Sequence, residues 1–132
     1  MLTNKNNLDF LLEGAEEKLT KARQHEYDNM VNNPYQLRHV NKFANIYRGI
    51  GNTHHLANLA KRNGCFLVVP SVAQAQRIKK DYNYKNICGA KEFLLKTLSP
   101  SEEYIVDSIS NEDLKEIVSS KGKEPISGLV IH

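Results

Sequence analysis

Ile46-Tyr47-Arg48-Gly49-Ile50-Gly51-Asn52-Thr53-His54-His55-Leu56-Ala57-Asn58-Leu59-Ala60, with Cys65-Phe66-Leu67-Val68-Val69-Pro70 shortly after it, is the stretch on which the reading of this chain turns. Leu56, Leu59 and Ala60 fall at helical spacing, so the glycine-rich turn feeds a helix. Asn63-Gly64 ends that helix, glycine being suited to a left-handed cap. Cys65 to Val69 is then a near-continuous apolar run, the pattern of a strand covered on both faces. Turn, helix and buried strand in that order make one crossover unit of an α/β protein. The backbone N–H groups at the head of such a helix are free to meet an anion.

Outward from this unit the pattern continues. Toward the N-terminus, Asn6 or Asn7 caps a helix whose stripe is Leu8, Leu11, Leu12, Ala15, Leu19 and Ala22, with Tyr27, Met30 and Val31 extending it. Asn32-Asn33-Pro34 stops it, because a residue before proline is driven out of the helical region. Pro34 is suited to begin a second helix, with Leu37, Val40, Phe43 and Ala44 on one side. Asn45 to Arg48 is then a short strand entering the glycine turn. Toward the C-terminus, Ser71 caps a helix carrying Val72, Ala73, Ala75 and Ile78 that ends near Tyr82. Asn86 to Cys88 is a short strand, and Ala90 to Leu98 a helix halted by Ser99-Pro100. Tyr104 to Asp107 is a strand. Ser110, with Asp113 three residues on, opens a helix bearing Leu114, Ile117 and Val118. Gly128 to Ile131 is the last strand. Strands alternating with helices predict a three-layer α/β/α fold around a small, mostly parallel sheet. The expected organisation is a single α/β domain over residues 1–132, with a helical part at 1–44 and a core at 45–132.

The chain of 132 residues is 40% apolar and 25% charged, ordinary for a globular protein with one modest core. No apolar run approaches the ~18 residues of a membrane span, and the first residues lack the apolar centre of an export signal. Cys65 and Cys88 are not in metal-ligand spacing. Reduced thiols and a cytoplasmic location without a membrane partner are the expectation. The net charge of +3 hides an asymmetry. Between Asn29 and Lys80 there is no Asp or Glu, while Arg38, Lys42, Arg48, Lys61, Arg62, Arg77, Lys79 and Lys80 give that window +8. The remainder holds 10 basic against 15 acidic residues. An acid-free basic block points to an anionic partner such as nucleic acid or a phosphate group. Alternatively its bases are spread over several elements and pair with the acidic remainder.

Three segments, in this order, resemble the first RecA-like lobe of P-loop ATPases, helicases in particular. Gly49-Ile50-Gly51-Asn52-Thr53 is similar to the end of a Walker A loop. Leu67-Val68-Val69-Pro70-Ser71 with Ala73-Gln74-Ala75-Gln76-Arg77-Ile78 resembles helicase motif Ia. Tyr104-Ile105-Val106-Asp107-Ser108 looks like a Walker B strand ending in its aspartate. The departures bear on activity. Asn52 stands where the family has the phosphate-binding lysine, Ile46 where it has the outer glycine, and Ser108 where it has the glutamate that orients water. The resemblance therefore implies no efficient hydrolysis: the cofactor is left open, with ATP or magnesium a candidate ligand that is not turned over.

The candidate phosphate or nucleotide contacts are Arg48, Gly49, Ile50, Gly51, Asn52, Thr53, His54 and Asp107. The candidate nucleic-acid contacts are Lys61, Arg62, Ser71, Arg77, Lys79 and Lys80. Ser71 has a plain alternative as a helix cap. No metal site is expected, since His54 and His55 are adjacent and point about 100° apart on a helix. Tyr82 and Tyr84, beside Lys79, Lys80 and Lys85, are candidates to stack on bases. The reading is a non-catalytic phosphate- or nucleic-acid-binding accessory protein of phage or mobile-element type with a degenerate P-loop-like core. Two other classes stay open: an interaction module that inhibits a host replication or defence enzyme, and a residual ATP-binding NTPase.

Overall fold

The computed structural model describes residues 21–22, 24–25, 27–41 and 52–132. Residues 8–20 of the predicted first helix, the predicted strand over 45–48 and the turn residues Gly49, Ile50 and Gly51 lie outside them. The described residues of 21–32 are helical and are called α1. Then follow β1 (Leu37–Val40), α2 (Asn52–Asn63), β2 (Phe66–Val69), α3 (Val72–Tyr82), β3 (Ile87–Gly89), α4 (Ala90–Leu95), β4 (Tyr104–Ser110), α5 (Asn111–Lys121) and β5 (Ser127–Ile131). The five strands form one sheet in the order β1-β5-β4-β2-β3, and every pairing is parallel.

That order explains the layers. From β1 to β2 to β3 the chain moves one way across the sheet; from β3 to β4 to β5 it moves back. Right-handed crossovers then place α2 and α3 on one face, α4 and α5 on the other. The core is divided accordingly. Leu56, Leu59 and Ala60 of α2 and Ala75 and Ile78 of α3 pack with Leu67, Val69, Ile87 and Ile105. On the opposite face Phe93 of α4 and Leu114 and Ile117 of α5 pack with Val68, Tyr104, Val106 and Val130. The fold is the three-layer α/β/α sandwich expected, its sheet wholly parallel.

β1 and α4 differ from expectation. Residues 37–40 are an edge strand, not the middle of a second helix, so the segment up to residue 44 is not wholly helical. Leu37 and Val40 are three apart, which suits one face of a helix. The same spacing sends them to opposite faces of a strand. Leu37 lies against the α4/α5 core and Val40 within the α2/α3 core. The open edge of β5 supplies the partner: Leu37 stands opposite Gly128 and Val40 opposite Ile131. The Ser127 hydroxyl donates to the Pro34 carbonyl, and Gly128 N–H donates to Gln36 O at 3.3 Å. α4 also stops at Leu95, short of the predicted Leu98. Lys96 is extended there, and Leu95 is 89% exposed.

Candidate functional site

In a parallel α/β sheet ligands bind beyond the carboxyl ends of the strands, at the point where the chain reverses its direction across the sheet. Here that point lies between β2 and β4. β2 leaves toward α3 on one face, β4 toward α5 on the other. The residues at this switch point are Pro70 and Ser71 after β2, and Asp107 and Ser108 within β4.

β4 is irregular at this place. Its register against β5 slips between Val106 and Ile109, so one extra residue is accommodated there. Ser108 takes a left-handed φ of 58°, a conformation costly for a residue with a β-carbon. Gly128 of β5 lies opposite Val106 with φ 148°, and a β-carbon on it would come within 2.2 Å of Val106 O. Bulges of this kind re-aim side chains near binding sites. The side chain of Asp107 faces α2, where the Thr53 hydroxyl donates to its Oδ2 at 2.7 Å. The Ser108 hydroxyl donates to Oδ1 at 3.1 Å. Asp107 is 3% exposed. Burial pushes its pKa up, and the two hydroxyl bonds only partly oppose that. β4 runs on to Ser110 rather than ending at Asp107 as expected, and the Asp107 carboxylate, at the bulge, is bonded to the first turn of α2.

His54, exposed on α2, meets Asn58 Nδ2 at 3.2 Å and the Tyr82 hydroxyl at 3.4 Å. Its ring packs against Tyr82 with centroids 5.8 Å apart. His55, the next residue, has a buried Nε2 with no hydrogen-bond partner. Burial lowers its pKa most, with Arg38, Arg62 and His54 adding to the effect.

Among the described residues, the basic side chains of the predicted nucleic-acid set do not converge on this point. α2 runs directly into β2 and α3 into β3, so their last turns lie at the amino ends of the strands. Lys61 and Arg62 occupy the last turn of α2, Lys79 and Lys80 that of α3. Cations there complement the helix dipoles. Lys61 Nζ also donates to Tyr82 O at 3.2 Å, across to the end of α3. Arg77 is exposed on α3. Ser71 alone of the nucleic-acid set is at the carboxyl rim. It caps α3, accepting from Gln74 N at 3.2 Å and donating to Gln74 Oε1 at 3.1 Å.

Tyr84 is not a free stacking platform: half-buried, it donates to Cys65 O at 2.7 Å. Cys65 and Cys88 are buried thiols, and burial pushes each up to about 11. They are packing groups, not nucleophiles. Among the described residues no set of three or more His, Cys, Asp or Glu is grouped to hold a metal ion, and no helix is long and apolar enough to cross a membrane.

Comparison with protein-family models, with curated proteins and with solved structures yields no match. Sequence reasoning paired Thr53 and Asp107 by resemblance. It missed the left-handed Ser108 and its partner Gly128. The glycine at the start of an apolar strand was the only signal for that close approach.

Proposed function

We propose that this chain is a non-catalytic phosphate-binding protein with a degenerate P-loop-like core. It takes a nucleotide or nucleic-acid phosphate at the carboxyl ends of its strands, as an accessory protein of phage or mobile-element type. The observation that carries the reading is the 2.7 Å bond from Thr53 to Asp107. In a phosphate loop the corresponding hydroxyl and carboxylate flank a magnesium ion beside the phosphates. A bound dication would also favour the charged form of a carboxylate that burial otherwise disfavours. Turnover is not part of the proposal. Ser108 cannot act as a carboxylate base, and Asn52 lacks the ammonium group that neutralises the transferred phosphoryl.

The test is thermal unfolding of the full chain with ATP or GTP, with and without magnesium. Saturating ligand, at a hundredfold excess over its dissociation constant, should stabilise the fold by about 2.7 kcal/mol. Thr53→Ala should remove the shift. No shift with either nucleotide would sink the nucleotide form of the reading.

A second reading rests on the other rim. Lys61, Arg62, Lys79 and Lys80 gather at the amino ends of the strands, on the α2/α3 face. That surface suits a nucleic-acid backbone independently of the glycine turn. Binding of labelled single-stranded DNA or RNA should then weaken linearly in log affinity against log salt. Absence of any response to nucleotides and nucleic acids would turn the assignment toward a protein-interaction module.

A further inference from the structure

β1 and β5 are parallel neighbours, with His39 opposite Val130. His132 stands two positions beyond Val130, on the same face of the sheet by strand alternation. The two imidazoles meet there. His39 Nδ1 and His132 Nε2 are 2.7 Å apart, and the ring centroids are separated by 5.0 Å at an interplanar angle of 42°. Both residues are exposed. The backbone beneath them is held: His39 lies in β1, and His132 N–H donates to Val40 O at 2.8 Å. This pair lies on the α4/α5 side of the edge strands, apart from the Thr53–Asp107 bond on the α2 side.

We propose that His39 and His132 form a two-imidazole site for a divalent transition-metal ion of the zinc, nickel or copper class. Imidazole nitrogens bind such ions at about 2.0–2.1 Å, which puts two nitrogens on one tetrahedral ion roughly 3.3 Å apart. The pair reaches that separation by opening about 0.6 Å, a small side-chain rotation for exposed rings. The contact already brings one nitrogen of each ring to the same place; on binding, the proton shared between them is released and the rings turn so that both lone pairs converge on the ion. Two nitrogen donors favour borderline ions over magnesium and calcium, which prefer oxygen. No third His, Cys, Asp or Glu is grouped with them among the described residues. Solvent, or the same pair on a second copy of the chain, completes the coordination.

The experiment is calorimetric titration of the full chain with Ni2+, Zn2+ and Cu2+ in a non-chelating buffer at pH 7.5, beside the His39→Asn, His132→Asn and His25→Asn variants. The expected result is one saturable site, an affinity at least tenfold lower in the first two variants, and no change in the third. Copper electron paramagnetic resonance of the unaltered protein should show hyperfine coupling to two imidazole nitrogens, a readout that needs no variant to fold. Absence of saturable binding would overturn the site. So would binding that survives both substitutions, or a copper spectrum with fewer than two nitrogen ligands.

Discussion

At the residue scale, Asp107 and His55 give opposite pH signatures. Asp107 has a folded pKa raised by burial, so the native state holds its proton more tightly than the unfolded chain does. Its contribution is most favourable below the unfolded value of about 3.9 and is lost as pH rises through the folded value. Asp107→Asn keeps an acceptor for Thr53 and lacks the titration. Melting temperatures followed from pH 4 upward should show the parent losing stability relative to this variant, then levelling. His55 titrates the other way. Its pKa is lowered, so protonation is harder in the fold, and stability falls as pH drops below the unfolded value of about 6.5. His55→Leu removes both the titration and the unpartnered Nε2. Its melting temperature should exceed the parent's at pH 5 by more than at pH 8. Thr53→Ala removes a hydroxyl donor to a buried carboxylate and should cost roughly 1–3 kcal/mol in denaturant unfolding.

At the element scale, the bulge in β4 and the close passage of β5 act together. Gly128→Ala forces a β-carbon against Val106 O in a backbone conformation that L residues rarely adopt. Overpacking and strain together predict a loss of about 3 kcal/mol or more by chemical denaturation. Ser108→Gly should be nearly neutral. Relief of the left-handed φ, about 1 kcal/mol, offsets the lost hydrogen bond to Asp107, also about 1 kcal/mol. The cap of α3 separates two roles for Ser71. Ser71→Ala should cost about 1 kcal/mol of stability, whereas Ser71→Asp should preserve the cap and add a negative charge at the carboxyl rim. Nucleic-acid affinity that falls only in the aspartate variant would place phosphate near Ser71; affinity unchanged in both would leave Ser71 as a cap alone.

At the scale of the whole molecule, the sheet keeps two surfaces apart. Thr53 and Asp107 are at the carboxyl rim, while Lys61, Arg62, Lys79 and Lys80 are at the amino rim. Replacing those four bases by glutamine should reduce the log–log salt slope of nucleic-acid binding by roughly 3. The nucleotide-dependent thermal shift should stay as it was. If the same substitutions abolish the shift, both ligands depend on one surface. Of the described residues of the acid-free block, Lys61, Arg62, Lys79 and Lys80 lie at the amino rim, away from Thr53 and Asp107. Chain proximity is not spatial proximity when each helix carries its residues from one rim to the other.

The order of elements was legible because local signals agreed. The apolar run from Cys65 to Val69, the Ser71 and Ser110 caps and the Asn63-Gly64 stop each specify structure within a few residues, and so the α/β/α layering followed. The left-handed ends differ in kind: Asn83 and Gly122 close α3 and α5 with φ of 49° and 71°, residue types that suit a left-handed cap. What the chain could not reveal by itself depended on partners distant in sequence. Leu37 and Val40 fit a helix and an edge strand equally well, and only the open edge of β5, some 90 residues on, decides between them. The bond from Thr53 to Asp107, the bulge that turns Asp107 toward α2, and the meeting of His39 with His132 exist only once the sheet has closed. Hydrophobic periodicity encodes which side of an element is buried; it does not encode which neighbour buries it.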